Sequence, residues 1–352
     1  MTGVDTLVWE ARLDGTSRSP RLAPVRRAAS ATNAGTTEVR VRFSGLCGSD
    51  TGKLCSDAWC GPLPEGWVPG HEVVGIDTRT GTWVAVNPLV GCEGCAECAL
   101  GRLHLCPGLR RVGWDLPGGL AESVRVPVRN AVPLTSGAAD PAVFVLADPV
   151  AVALHGVRCG LPAPASSRAG RLGVIGAGTL GICTAVSAAR SGWDVFLATR
   201  RPGQEERLRT LLADTGVTVC PESGLPAGTC DAVVDAASGH SAAPLLQALE
   251  AVRDGGTILV QNAYAPQVKL STPLREVFRR SITLRGSYSH CRANNGDDFR
   301  DALQLLVQAA DSAWATALTS TRYPLARLPD ALAALHPDAA HRPPKVLLTF
   351  RR

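Results

Sequence analysis

Lysine is almost missing from this chain. Of its 36 basic residues only Lys53, Lys269 and Lys345 are lysines. The other 33 are arginines, a bias that, with abundant alanine and glycine, points to a GC-rich bacterial gene and says nothing about function. A dense basic block is also missing. The formal net charge of +5 is spread along the chain, which argues against nucleic acid as the main partner. Long hydrophobic runs are absent too: "AVFVLADPVAVAL" is broken by Asp148 and Pro149 and falls short of a membrane span. The opening residues, "MTGVDTLVWEARLDG", hold neither a basic start nor an apolar run, so no signal peptide is expected and the expected setting is the cytoplasm. No internal repeat is visible.

What is present describes a globular protein. Hydrophobic residues make up 45% and charged residues 19% of 352, and the mean hydropathy is +0.08. That length accommodates two domains with substantial cores. Twelve cysteines in an unsecreted chain point to metal binding rather than a disulfide framework.

Four of them are crowded together. "GCEGCAECALGRLHLCPG" holds Cys92, Cys95, Cys98 and Cys106. Two residues between neighbouring cysteines let a tight turn aim both sulfurs at one point, as a tetrahedral zinc site requires. Disulfides between partners this close would be strained. Four thiolates fill the tetrahedron and leave no position for substrate, so this zinc is expected to be structural and the chemistry to lie elsewhere.

The pattern changes along the chain. From residue 37 to about 135, short β-type runs ("TEVRVRFSG", "TWVAVNPLV", "AESVRVPV") alternate with Gly and Pro, which predicts an irregular β-rich domain. From "RLGVIGAG" onward strands and helices alternate: "TLGICTAVSAARSG", "DVFLATR", "GQEERLRTLLADTG", "DAVVDAAS", "SAAPLLQALEAVRDGG" and "TILVQNA". Such alternation predicts a doubly wound, mostly parallel sheet. "LPAPASSRAG" reads as a linker, "DDFRDALQLLVQAA" as an amphipathic helix and "KVLLTF" as a closing strand.

"GVIGAGTLG" supplies Gly176, Gly178 and Gly181 in a G-x-G-x-x-G arrangement, with Thr179 and Leu180 between the last two. Three such glycines alone are a weak signal in a chain with 36, but here they follow a strand and open a helix within a βαβ unit. That context predicts a dinucleotide site. At the end of the second strand an NAD site carries a carboxylate for the ribose 2′-hydroxyl. This chain has Thr199, Arg200 and Arg201 there instead. A hydroxyl and guanidinium forks suit a 2′-phosphate, so NADP is expected over NAD.

A second group of residues is scattered: Cys47, Ser49 and Asp50 in "FSGLCGSDTGK", His71 and Glu72 in "VPGHEVVG", Asp148 in "LADPVAVALHG". In this order, with the four-cysteine lobe and the glycine loop, they make the chain resemble the zinc-dependent medium-chain dehydrogenases over nearly its whole length. That family includes the polyol, threonine and secondary-alcohol dehydrogenases. The resemblance implies an α/β fold in which a GroES-like β-rich catalytic domain at residues 1–156, with the zinc lobe at 92–106, is interrupted by a Rossmann domain at 157–286. Residues 287–352 are expected to return to the first domain.

By the same resemblance Cys47, His71 and Asp148 hold a catalytic zinc with one position open, and Glu72 can exchange onto the metal. Asp50 orients His71, and Ser49 takes the alcohol proton. Asp148, where many relatives have Glu or Cys, is similar to the NADP-dependent secondary-alcohol group; as a residue before Pro149 it also reads as a plain helix N-cap. A relay histidine common in the family is replaced by Gly52. The implied activity interconverts a secondary alcohol and a ketone with NADP(H) and two zincs per chain, on a polyol, cyclitol, aminocyclitol or sugar-like substrate, in a homodimer or homotetramer. A zinc-independent reductase of activated double bonds and a non-catalytic NADPH-binding protein remain as alternatives. Trp114, Tyr288 and Ser289 are open to a pocket-lining or a packing role.

Overall fold

The computed structural model describes residues 6–12, 21–27, 34–55, 64–134, 140–162, 169–199, 201, 203–221, 224–237, 241–272, 274–293, 296–336 and 342–350. They divide into two units, Met1–Asp148 with Cys291–Arg352, and Pro149–His290. The linker expected at "LPAPASSRAG" lies largely outside the described residues.

The first unit is built on a seven-stranded sheet. Along it run Arg322–Pro324, Val346–Thr349, Thr36–Leu46, Glu72–Asp77, Trp83–Val86 and Ala131–Pro133, with Ser123–Pro127 also pairing on Thr36–Leu46. Its core is mostly valine: Val39, Val41, Val73, Val84, Val86, Val112, Val124 and Val126 pack together. Stiff β-branched side chains fit a pleated surface, which is why a run such as "TEVRVRF" settles as a strand. A register shift between Val41 and Phe43 bends Thr36–Leu46, and beyond it Gly45 stands opposite Glu72 and Leu46 opposite Val346. That register sets Cys47, at the strand's exit, beside the turn that carries His71.

An antiparallel pair of strands, Thr6–Arg12 and Arg21–Arg27, lies in a stretch for which no element was expected. Trp9 joins it to a core containing Leu120, Leu325, Leu328 and Leu348. Helix Asp298–Ala309 is present; its N-cap Asp297 accepts from the Arg300 N–H.

The second unit holds a parallel six-stranded sheet. Its order is Val217–Val219, Asp194–Ala198, Arg171–Ile175, Cys230–Asp235, Val252–Val260, Thr283–Gly286. This is the doubly wound arrangement that the alternating elements predict. The helix predicted over "SAAPLLQALEAVRDGG" stops earlier than expected. Helix Ala243–Ala251 gives way directly to the strand Val252–Val260, because "VRDGG" joins the sheet, with Cys230 opposite Val252.

One further difference concerns the apolar stretch around Asp148. Pro141–Gly160 is a continuous helical run of 20 residues with mean hydropathy 1.5, long enough to cross a membrane, but 78% of its apolar window is buried inside the protein. Asp148 and Pro149 do not break it. They occupy the first turn of the α-helical segment Ala147–His155, where a missing proline N–H is tolerated.

Candidate functional site

His71 is the hub of one cluster. Its Nδ1 lies 3.4 Å from Asp50 Oδ1, and its Nε2 lies 3.9 Å from Asp148 Oδ2. Asp50 is fully buried, and its other oxygen accepts the Cys47 backbone N–H at 3.1 Å. One carboxylate thus ties together both residues that flank the site. Ligand atoms of Cys47, His71 and Glu72 all lie within 4.8 Å of one another. Around a tetrahedral zinc with bonds of about 2.0–2.3 Å, ligand atoms sit about 3.3–3.8 Å apart, so the cluster is of the right size. Neither His71 Nδ1 nor Asp50 Oδ1 has a hydrogen-bond partner of normal length among the described residues. Burial works to lower the His71 pKa, but the charges of Asp50 and Cys47 outweigh it and hold the imidazole well above its ordinary value. A dication in place of the proton would satisfy the same surroundings. With Nδ1 turned to Asp50, Nε2 is left as the ligating nitrogen.

Asp148 lies in the first turn of the segment Ala147–His155, inside a longer helical run that opens at Pro141. Asp140 caps the start of that run, accepting the Ala142 N–H at 3.0 Å, and Asp148 sits eight residues further on with its carboxylate toward His71. Ser49 is half-buried in the first turn of helix Gly48–Cys55, one position before Asp50.

Sequence reasoning missed Lys345. It forms an ion pair with Glu72, and both side chains are almost wholly excluded from solvent. Burial pushes the Glu72 carboxyl up against the pull of Lys345; burial works on Lys345 in the opposite sense to Glu72, which raises it. Gly45 makes the pair possible: a Cβ there would overlap the Glu72 carboxylate and meet Lys345 Cε at 3.0 Å. The signal available in the sequence was a rare lysine at the head of an apolar strand.

The four-cysteine lobe is a separate cluster. Sγ atoms of Cys92, Cys95, Cys98 and Cys106 fall within 4.8 Å of one another, and Cys95 Sγ to Cys106 Sγ is 3.7 Å. Four sulfurs about 2.3 Å from a zinc would be about 3.8 Å apart. Backbone N–H groups of Cys92 and Cys98 point at Cys106 Sγ and Cys95 Sγ, both at 3.4 Å, as they would to stabilise thiolates. The backbone N–H of Gly94 and the neighbouring thiols bring Cys92 down to about 7, while burial pushes Cys98 up to about 11. The four lobe cysteines are free thiols, as are Cys47, Cys159, Cys183, Cys220, Cys230 and Cys291.

In the second unit, each glycine of the loop has its own reason. Gly176 has φ +107°, and a Cβ would meet Ala237 Cα at 2.8 Å. At Gly181 a Cβ would overlap the Gly176 carbonyl, so only glycine lets this helix pack on its strand. Gly178 faces open space, and no side chain caps helix Thr179–Arg190, which begins with Thr179 and Leu180. A helix start of this kind, without a side-chain cap, is able to take an anionic group such as a phosphate. Thr199 is buried, and its hydroxyl is engaged with Gln204 Oε1 at 3.3 Å and the Arg201 N–H at 3.2 Å. Arg201 is exposed, and Arg200 lies outside the described residues.

Comparison with known proteins agrees with this anatomy. Residues 33–136 match the Alcohol dehydrogenase GroES-like domain. The chain is 31% identical to D-altritol 5-dehydrogenase of Agrobacterium fabrum, over 71% of this chain and 76% of that one. It is 27% identical to L-galactonate-5-dehydrogenase of Escherichia coli, over 82% and 85%. Its fold matches L-idonate 5-dehydrogenase of Escherichia coli with a TM-score of 0.80 at 22% identity, covering 99% of each chain. By these similarities the chain belongs to the zinc-dependent medium-chain dehydrogenase/reductase family, enzymes that interconvert alcohols and ketones with a nicotinamide cofactor.

Proposed function

We propose that this enzyme oxidises a secondary hydroxyl of a polyol, cyclitol or sugar-like substrate, and reduces the ketone in reverse, with NADP(H) as its cofactor and two zincs per chain. Cys47, His71 and Asp148 would hold one zinc, with Glu72 poised beside it, and Cys92, Cys95, Cys98 and Cys106 the other. The observation that carries the reading is the gathering of Cys47, His71 and Glu72 ligand atoms, with Asp50 at Nδ1 of the imidazole and Asp148 approaching its Nε2 at 3.9 Å. When bound, zinc lowers the pKa of a hydroxyl in the site and NADP⁺ accepts the hydride.

The chain's own residues do the rest. Asp50 fixes the imidazole orientation through Nδ1. Ser49, in the adjoining helical turn, takes the hydroxyl proton and passes it to solvent, since Gly52 offers no relay side chain. Gly176, Gly178, Thr179, Leu180 and Gly181 cradle the pyrophosphate at the helix N-terminus. Thr199, Arg200 and Arg201 would receive the 2′-phosphate, where a carboxylate would repel it. Polyol-acting names among the relatives, altritol and galactonate, support this substrate class. A homodimer or homotetramer is part of the reading. It is supported by the exposed edge strand Thr283–Gly286 and by Leu274 and Phe278, 81% and 82% exposed beside it. Assaying sugar alcohols, cyclitols and sugar acids with NADP⁺ and with NAD⁺ tests the reading. NADP-dependent turnover of a polyol is expected, and a preference for NAD⁺ of more than tenfold would overturn the cofactor choice.

A further inference from the structure

The candidate metal site offers one carboxylate more than an open zinc site uses. Beside Cys47 and His71 stand Asp148, 3.9 Å from the imidazole Nε2, and Glu72, which has a ligand atom within 4.8 Å of those of Cys47 and His71. Glu72 is the more deeply set, its side chain 1% exposed against 14% for Asp148. Its Oε1 has no hydrogen-bond partner among the described residues. A buried carboxylate oxygen in that state, next to a thiol and an imidazole, is suited to bind a cation. If both carboxylates joined Cys47 and His71 on one zinc, four protein ligands would fill the tetrahedron. The site would then be closed, as the four-cysteine lobe is, with no position for a substrate oxygen.

One group opposes that outcome. Lys345 is ion-paired with Glu72 through Oε2. The sheet places it there: Leu46 lies opposite Val346 in an antiparallel register, so Lys345 comes out opposite Cys47. Gly45, opposite Glu72, supplies the room, since a Cβ there would overlap Glu72 Oε2 and meet Lys345 Cε at 3.0 Å. The lysine side chain is 1% exposed, and the charges of Cys47 and Asp50 act on it along with that of Glu72. The charges balance in one arrangement. The Cys47 thiolate and the Asp148 carboxylate neutralise a dication, and the ammonium neutralises Glu72. A buried ion pair is weak evidence for stability, and its best-attested use is to specify one arrangement among several. Here the arrangement specified is the choice between two carboxylates.

We infer that Lys345 is a positioning residue: it holds Glu72 away from the metal, so that Asp148 completes the protein ligands and the fourth position stays open to substrate. The inference rests on the proposed metal site and deepens it by naming the group that keeps it open.

The test uses the full chain with cobalt exchanged into the open site and zinc retained in the four-cysteine site. Added imidazole shifts the visible cobalt bands where a coordination position is free. It should do so in the unmodified protein. In Lys345→Met, Glu72 should take that position, so that imidazole binds about tenfold more weakly and a chelator removes the cobalt about tenfold more slowly. Tighter metal together with poorer access is a signature that loss of structural support would not give, because a loosened site releases its metal faster. Lys345→Arg, which keeps the charge, should retain imidazole access. Lys345→Met/Glu72→Gln, which removes the competing carboxylate, should recover it. If Lys345→Met is not obtained folded, Lys345→Gln makes the same comparison. Faster cobalt loss, or unchanged imidazole binding, in the neutral variant would overturn the inference and leave the metal site standing. An unmodified chain that takes up no cobalt outside the four-cysteine lobe would overturn the metal site and the inference with it.

Discussion

Lys345 and Glu72 face each other in a buried ion pair that forms only because Gly45, opposite Glu72 in the strand register, has no side chain. Removing one partner leaves the other charge buried and uncompensated, at a cost of about 3–5 kcal/mol. Lys345→Met and Glu72→Gln should each lower the urea midpoint accordingly. The double variant should lose clearly less than the two singles together, because its members share one contact. Additive losses would mean that the two charges act independently.

Asp50 acts at one remove from the metal. Asp50→Asn should weaken the open-site metal by about 10–100-fold, because the neutral amide no longer supports the imidazole as an anion does. Competition with a chromophoric chelator reads the metal affinity directly. The four-cysteine site should hold its zinc throughout, and a variant with wild-type affinity at the open site would remove Asp50 from its support.

The pH dependence of the first unit should include Asp77, at the end of the strand that begins with Glu72. Burial alone would raise its pKa, but the Thr37 hydroxyl at 2.5 Å, the Arg79 N–H at 2.9 Å and the Arg79 charge together lower it. A folded pKa below the unfolded value of about 3.9 contributes stability that is complete above that pH and is lost as pH falls through the folded pKa. Asp77→Ala should therefore cost about 1.5–3 kcal/mol near pH 7, with the gap to wild type narrowing below about pH 4. A gap that does not change with pH would contradict this.

The exposed edge of the parallel sheet should mediate self-association. Leu284, 50% exposed on strand Thr283–Gly286, is the position to charge. Leu284→Glu should shift the protein toward monomer in light scattering after size exclusion. A wild-type monomer, or an unchanged oligomer in the variant, would exclude this edge.

How much of this was legible depended on whether a feature is local. The glycine loop and its flanking strand and helix could be read because each glycine acts within a few residues or against the next strand. The cysteine lobe could be read for the same reason. Cys47, His71 and Asp148 come from three separate segments and could be grouped only by resemblance. The Lys345–Glu72 pair was invisible because it depends on two strand registers, Gly45 opposite Glu72 and Leu46 opposite Val346. Strand Arg21–Arg27 was missed because Pro24 and flanking arginines give it no alternation; it survives by pairing with Thr6–Arg12, where Trp9 stands opposite Pro24.

The central claim is that Cys47, His71 and Asp148 form an open zinc site distinct from the closed four-cysteine site. Elemental zinc analysis of wild type and Asp148→Asn, run beside their rates of polyol oxidation, tests it most directly. Asparagine is nearly isosteric with aspartate and is as good at a helix start, so the substitution should leave the fold intact while trading an anionic ligand for a neutral one. The account predicts two zincs per chain in the wild type, close to one in Asp148→Asn, and a rate lower by orders of magnitude. An Asp148→Asn enzyme that keeps both zincs and the wild-type rate would contradict it.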